Sequence, residues 1–334
     1  MAGNAGGKVM ECNMDRRGVL KALAGGGALL ATSRLPSFAK DDPFVFPQRG
    51  RFERLSLGYV RIDAGAAKPF SALHISDTHL TTAYPGENMN KQRLALLRTR
   101  TFGGRQEEAL RDSLAWAKEN ADLVIHTGDL IDWQSEANFD QARAAYKEFS
   151  GASAGNHEYS PEMWLSEQEC TCDESYKALT GDALRKAFGN RDVSFSATEF
   201  NGVNFIAMDD VYGTVTESQV ERFRSEAKKG MPIVLCMHVP FFSDHIWMAN
   251  AVFWKRIGGK FASAAVPKAA SDYARQLADR TTRDFIAYLK SEPSLRGILA
   301  GHLHFDVCDR FSQTAMHYVV AGNFMFRGQH VLFT

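Results

Sequence analysis

Short apolar segments, several of them ending in a polar cluster, constrain the fold of this chain more than any other feature. The segments are 72–75, 123–126, 203–208, 233–237 and 298–300. Their lengths are those of buried strands. Patterns typical of helices lie between several of them, at 105–120, 136–149, 217–229 and 271–290. Strand–helix alternation of this kind predicts an α/β domain with parallel strands.

Other segments predict antiparallel pairing. Residues 193–196 and 203–208 flank Asn201-Gly202, a dipeptide that strongly favours a hairpin turn. The segments 304–320 and 330–333 indicate another strand-rich meander. We therefore expect two packed mixed β-sheets with helices outside, in a single domain over residues 40–334.

The first 39 residues resemble a targeting signal. Arg16-Arg17 is followed by an apolar run over 19–31, which is too short to span a bilayer comfortably, and Ala39 offers a cleavage position. A buried N-terminal helix is the alternative, but three consecutive glycines (25–27) would weaken it. We expect an export signal of the twin-arginine (Tat) type over residues 1–39, with the Tat machinery as partner and a periplasmic or extracellular location. Cleavage or retention as an anchor stays open.

Composition excludes other classes of protein. Hydrophobic residues make up 45% of the 334 positions, which is enough for a sizeable core. The formal net charge is zero, so no global field favours binding to nucleic acid or to an anionic membrane. After the signal, no apolar run reaches the length of a membrane span.

Five polar clusters carry the residues that could perform chemistry, and four of them follow an apolar segment directly. The clusters are Asp77-Thr78-His79, Gly128-Asp129 with Asp132, Gly155-Asn156-His157-Glu158, His238, and Gly301-His302-Leu303-His304. The third cluster follows a weaker segment, 151–154. Since ligands bind beyond the carboxyl ends of strands in α/β sheets, we expect these clusters to meet in one place.

The side chains in the clusters are typical of a metal site. Imidazole, carboxylate and amide oxygen together suit divalent ions such as Mn, Fe, Zn or Co. There are too many of them for one tetrahedral ion. Two ions bridged by a shared carboxylate would use them all, and such pairs activate water and stabilise in-line displacement at phosphorus.

The ordered set of clusters resembles the motifs of the calcineurin-like metallophosphoesterase superfamily, over residues 71–304. The resemblance implies a four-layer αββα sandwich with a dinuclear centre. It implies two ligand sets that share Asp129: one is Asp77, His79, Asp129 and His304, and the other is Asp129, Asn156, His238 and His302. His157 would be the catalytic residue that assists the leaving oxygen. Asp132 and Glu158 would orient the ligands.

The resemblance also implies an activity. It predicts hydrolysis of a small phosphate ester by a metal-bridging hydroxide, with a phosphodiester preferred because residues 70–80 resemble the cyclic-nucleotide phosphodiesterase branch. A phosphomonoesterase acting on a nucleotide, sugar or lipid phosphate is the alternative, and a non-catalytic metal-binding protein is a weaker one. Purple acid phosphatases have Tyr where Asp132 stands, which disfavours that branch.

Two stretches, 84–104 and 241–268, do not fit the strand–helix alternation. Each directly follows a polar cluster, so both are predicted to be loops that cap the site. The aromatic residues of the second could contact a nucleobase or lipid, or form a small core of their own. Four arginines could bind a phosphate, but a solvated face is the more frequent setting for such residues. They are Arg93, Arg98, Arg100 and Arg105.

Overall fold

A computed structural model describes residues 51–162, 171–189, 191–256 and 271–334. The predicted export signal over 1–39 lies outside the described residues, as do 257–268 of the second stretch. The strands are β1 (Ser56–Ile62), β2 (Phe70–Ile75), β3 (Leu123–Thr127), β4 (Gly151–Ser153), β5 (Phe195–Phe200), β6 (Val203–Met208), β7 (Ile233–Cys236), β8 (Leu295–Ala300), β9 (Val307–Arg310), β10 (Met316–Val319) and β11 (Arg327–Phe333).

The helices follow the strands along much of the chain. They are α1 (Met89–Thr101), α2 (Gln106–Asn120), α3 (Glu136–Ala145), α4 (Glu174–Ala187), α5 (Glu217–Ala227), α6 (Asp244–Arg256) and α7 (Arg280–Ser291), with residues 271–278 helical just before α7. Most begin at a capping side chain that accepts a hydrogen bond from a backbone amide three residues ahead. These caps are Asn88, Ser135, Asp173, Thr216 and Asp279.

Two mixed sheets form the centre of the fold. One has the strand order β1-β11-β2-β3-β4 and the other β5-β6-β7-β8-β10-β9. β2, β3 and β4 are parallel, and so are β6, β7, β8 and β10, while β5, β9 and the β2–β11 pair are antiparallel. Parallel strands end at the same edge of their sheet, which brings the residues that follow β2 and β3 together.

Three apolar layers show that the sheets are stacked between helices. Alternate residues of a strand face opposite sides of its sheet. In β2, Phe70 and Ala72 pack between the two sheets, whereas Leu73 and Ile75 pack against the helices of the first sheet. In the second sheet, Val234 faces the space between the sheets and the residues on either side of it face α5 and α7. The expected αββα sandwich is therefore confirmed.

The structure corrects two expectations about local structure. Residues 84–104 and 241–268 were expected to be loops, but they contain the helices α1 and α6. In α1, the Asn88 cap and the run of good helix formers over 91–98 explain the helix. The tail is not one meander: β9 and β10 pair in the second sheet, whereas β11 crosses to the first sheet. No helix of the described residues is long and apolar enough to cross a membrane.

Acid should destabilise the fold partly through His317, a buried residue of β10 that lies outside the polar clusters. Burial lowers the pKa of His317 from 6.5 to about 3, so between these values the unfolded chain binds a proton that the folded chain does not. The free energy of unfolding of the protein therefore falls as the pH falls, and His317 contributes up to about 1.4 kcal/mol per pH unit to this slope.

We expect His317→Leu to reduce this slope between pH 7 and pH 5, measured by urea unfolding. His245→Leu, at an exposed position of α6, is the matched control and should keep the slope of the parent protein. If the slope of the free energy of unfolding against pH is unchanged in His317→Leu, His317 does not make this contribution.

Candidate metal centre

The candidate ligands stand where strands end, on backbone that turns sharply. Asp77 and His79 follow β2, and Asp129 follows β3. His238 follows β7, and His302 and His304 follow β8. All of these except His238 adopt positive φ angles of 51–73°. Because side chains of this size seldom occupy that region, the surrounding structure must hold these turns in place.

Backbone hydrogen bonds fasten the turn after β2 to the turn after β3. The amides of Asp77 and His79 donate to the carbonyls of Gly128 and Asp129, each at 2.9 Å. The second sheet joins them, since the amide of His302 donates to Asp77 Oδ2 at 2.9 Å. These bonds bring the clusters of both sheets to one place.

The first group of converging side chains consists of Asp77, His79, Asp129 and His304. Their potential ligand atoms all lie within 4.8 Å of one another, and all except His304 are buried. His79 Nε2 lies 3.1 Å from His304 Nε2, which is 3.2 Å from Asp77 Oδ1. This is the first ligand set that the resemblance implied.

The second group is Asp129, His238 and His302, whose ligand atoms satisfy the same 4.8 Å limit. His238 Nε2 lies 3.3 Å from Asp129 Oδ2 and 3.3 Å from Asn156 Oδ1. The structure thus places Asn156 beside this group, and Asp129 belongs to both groups. A carboxylate shared in this way could bridge two ions.

The hydrogen bonds of the imidazoles show that the groups fit cations. His238 Nδ1 donates to the carbonyl of Thr127 at 2.7 Å, and His302 Nε2 lies 3.1 Å from Asp272 Oδ2. Their other ring nitrogens, His238 Nε2 and His302 Nδ1, face each other at 3.2 Å. Their lone pairs would repel each other unless a cation, either a proton or a metal ion, lies beside them, and this arrangement is the one that metal-binding histidines adopt.

Charge leads to the same conclusion. Asp77, Asp129 and Asp132 are at most 1% exposed. Burial alone would raise the pKa of Asp129, but His238 and His157 hold it well below its usual value. Burial likewise opposes protonation of His238, yet Asp129 raises its pKa to about 10. Such a concentration of buried negative charge needs positive charge beside it.

His157 lies at the edge of both groups and is partly exposed. Its Nδ1 lies 2.9 Å from Asp132 Oδ1 and 3.0 Å from the backbone carbonyl of Asp132, so Nδ1 carries a proton. Its Nε2 lies 3.8 Å from Asp129 Oδ2. Burial opposes the charge on His157, but Asp129 and Asp132 raise its pKa above the usual value. The ring is therefore placed to hold a proton beside the candidate ligands.

Glu158 contacts backbone amides rather than the space between the ligands. Its carboxylate accepts hydrogen bonds from the amides of Asp129, Leu130, Ile131 and Gly155, at 2.6–3.1 Å. Burial and Asp129 raise the pKa of Glu158 to about 7, while the four N–H groups favour the charged form. Glu158 therefore fixes the turn that carries Asp129.

Three further side chains contact the site, and the sequence did not identify their contacts. Asp272 contacts His302, as described above. Asp210 accepts hydrogen bonds from the amides of His238 and Val239 at 2.9 and 3.1 Å. Arg98 donates to Asp132 and its side chain is 12% exposed, so it does not belong to a solvated face. None of the three belongs to a recognisable motif, so only their positions in space identify them.

Comparison with known proteins places the motifs in a family. The sequence profile of the calcineurin-like phosphoesterases matches residues 70–306, which contain every candidate ligand. A search of curated protein sequences gave no significant match.

Three solved structures resemble the chain at low identity. A dimetal phosphatase from Danio rerio is 16% identical with a TM-score of 0.42, over 77% of this chain and 88% of that one. A 5'-nucleotidase from Candida albicans is 13% identical with a TM-score of 0.35, over 80% and 47%. The NAD nucleotidase of Haemophilus influenzae is 12% identical with a TM-score of 0.34, over 76% and 45%. The chain spans about half the length of the last two.

Substitution of Gly155 tests whether the close packing around it holds the site together. A Cβ at Gly155 would lie 2.2 Å from Asp129 Oδ1 and 2.4 Å from its amide nitrogen, so the turn would have to shift. We expect Gly155→Ala to lower the free energy of unfolding by about 1–3 kcal/mol and to reduce bound metal, measured by urea unfolding and elemental analysis. Gly151→Ala, where a Cβ meets nothing within 4 Å, is the control that should retain both.

Proposed function

Because the chain belongs to the calcineurin-like phosphoesterase family, we propose that its two side-chain groups hold a pair of divalent ions and that it hydrolyses a phosphodiester. Membership of the family makes the protein a metal-dependent phosphoric ester hydrolase. The observation that carries the finer proposal is Asp129, whose carboxylate belongs to both groups. The first ion would be held by Asp77, His79, Asp129 and His304, and the second by Asp129, Asn156, His238 and His302.

The ligand types fit Mn, Fe, Zn or a similar ion. When bound, such a pair lowers the pKa of water and offsets the negative charge that develops at phosphorus. The protein holds the ligands in a fixed arrangement before any substrate arrives. The buried turns, their backbone hydrogen bonds and the Glu158 carboxylate provide this rigidity. Little reorganisation is then needed as the reaction proceeds.

His157 is proposed as the catalytic acid. Asp132 and its backbone carbonyl hold the Nδ1 proton, which leaves Nε2 facing the side of the site that contains Asp129. The neighbouring carboxylates favour the imidazolium, so Nε2 can carry a second proton. We propose that this proton passes to the departing alkoxide or phenoxide oxygen when the P–O bond breaks.

The preference for a diester rests on the likeness of residues 70–80 to the phosphodiesterase branch, and a phosphomonoester is the alternative. The purified protein, loaded with Mn²⁺, should be assayed on bis(p-nitrophenyl) phosphate and on p-nitrophenyl phosphate. A higher kcat/KM on the diester supports the proposal, whereas the reverse assigns a monoesterase. A fully metallated protein that is inactive on both esters from pH 5 to 9 would contradict hydrolase activity in this site.

We also propose export through residues 1–39. The test is a fusion of these residues to a reporter in a bacterium with a Tat pathway. Export of the reporter that stops when Arg16 and Arg17 are both replaced by Lys supports the proposal. Retention of the unaltered fusion in the cytoplasm contradicts it.

Removal of metal should abolish activity reversibly. After treatment with a chelator, we expect kcat to fall by at least about 100-fold, since the family's chemistry depends on the ions. Titration with Mn²⁺ should restore it with two equivalents bound, measured by calorimetry or elemental analysis. A single equivalent at full activity would contradict a dinuclear centre.

The role of His157 predicts that its replacement depends on the leaving group. His157→Ala should lower kcat about 10²–10⁴-fold for an ester with an alkyl leaving group, which needs a proton to depart. The loss should be smaller for p-nitrophenolate, which leaves without one. Metal content should be unchanged, and His245→Ala, at an exposed position of α6, should behave as the parent protein. Equal losses on both esters would argue against proton transfer by His157.

A further inference from the structure

Helix α1 contributes Arg98 to the metal centre, and Phe102, which caps the C-terminus of α1, also contacts it, although both lie outside every polar cluster. Arg98 donates from Nε to Asp132 Oδ2 at 2.6 Å and from Nη2 to Asp132 Oδ1 at 3.0 Å. The ring of Phe102 stacks on that of His79, with centroids 4.3 Å apart and planes 11° apart. The Arg98 guanidinium lies over the Phe102 ring, 4.9 Å from its centroid. Arg98 and Phe102 therefore pack together against the site.

Asp132 is the group through which this contact can reach the chemistry. Its side chain is fully buried, and that of Arg98 is 12% exposed. The same oxygen, Asp132 Oδ1, lies 2.9 Å from His157 Nδ1 and 3.1 Å from His79 Nδ1. One carboxylate thus orients both the proposed acid and a proposed metal ligand. Its own orientation decides where both rings point.

The form of the contact fixes the plane of the carboxylate. A guanidinium that donates through two nitrogens to two carboxylate oxygens holds both oxygens in its own plane. An ammonium group would supply the charge but not this restraint. The backbone amide of Asp132 donates to the carbonyl of Leu80 at 3.0 Å, so the main chain at this residue is anchored as well.

We propose that Arg98 is a positioning residue of the hydrolase: its paired hydrogen bonds hold Asp132 in the orientation that aims His157 at the leaving oxygen and His79 at its metal ion. The proposal rests on the function proposed above. It adds a residue from α1, whose guanidinium acts through Asp132 rather than on the substrate.

The first test is Arg98→Met, which keeps an unbranched stem beside Phe102 and removes the hydrogen bonds. At saturating Mn²⁺ and on an ester with an alkyl leaving group, we expect kcat to fall about 10–100-fold while KM changes less than about threefold. Arg98→Lys should recover less than about a third of the lost activity. Arg100→Met, an exposed position on the same helix, is the matched control and should leave kcat and KM unchanged.

A double-mutant cycle separates positioning from direct contact with the substrate. If Arg98 acts through Asp132, Arg98→Met should change kcat less than about twofold when Asp132 is already Asn. An equal loss in both backgrounds would show that Arg98 acts on the substrate and overturn the proposal. A rise in KM with unchanged kcat, or full recovery in Arg98→Lys, would overturn it too.

Metal affinity tests the proposal independently of activity. Since Asp132 also orients His79, Arg98→Met should weaken Mn²⁺ binding about 10-fold or more in calorimetry, whereas Arg100→Met should not. If the parent protein hydrolyses neither ester, the proposed function fails and this measurement alone decides whether Arg98 positions the site. If Arg98→Met does not fold, as judged by circular dichroism, Arg98→Lys takes its place in the cycle and in calorimetry. Unchanged affinity in the substituted protein overturns the proposal.

Discussion

The buried carboxylate of Asp129 is the group on which both halves of the site depend. It belongs to both groups of potential ligands, each of which combines residues that follow strands of the two sheets, and it faces His79, His157 and His238 at 3.3–3.8 Å. A charge in this position is costly without cations and fixed donors around it. The amide of His157 and the four amides that bind Glu158 satisfy and fix this part of the chain.

The stacking of the two sheets brings the groups that surround the Asp129 charge together, and apolar residues between the sheets hold it in place. β2 and β3 present their final residues from one sheet, and β7 and β8 present theirs from the other. The apolar layer between the sheets fixes how these ends face each other. Five of the proposed ligands then adopt left-handed backbone conformations that an isolated chain would seldom populate. Packing energy of the whole fold therefore maintains the local geometry that the chemistry needs.

Much of this could be predicted because the relevant signals are local in sequence. β6 was predicted at its observed bounds, and the Asn201-Gly202 turn joins β5 and β6 as expected. The weak segment before Asn156 does form a strand, β4, of only three residues. Helices α1 and α6 were missed because their residues do not repeat the strand–helix pattern. The crossing of β11 to the first sheet was missed because no local pattern states which sheet a strand joins.

The sequence by itself determined which residue types stand after which strands, and so the family, the kind of metal site and its candidate ligands. Those signals lie in short motifs that can be recognised from the order and spacing of their residues alone. Only the tertiary structure decided that Asp132 serves two histidines at once, and that Arg98 and Asp272 reach the site from separate helical segments. Such contacts join residues 25 to 53 positions apart. They depend on how side chains of different elements meet in space, which no local pattern records.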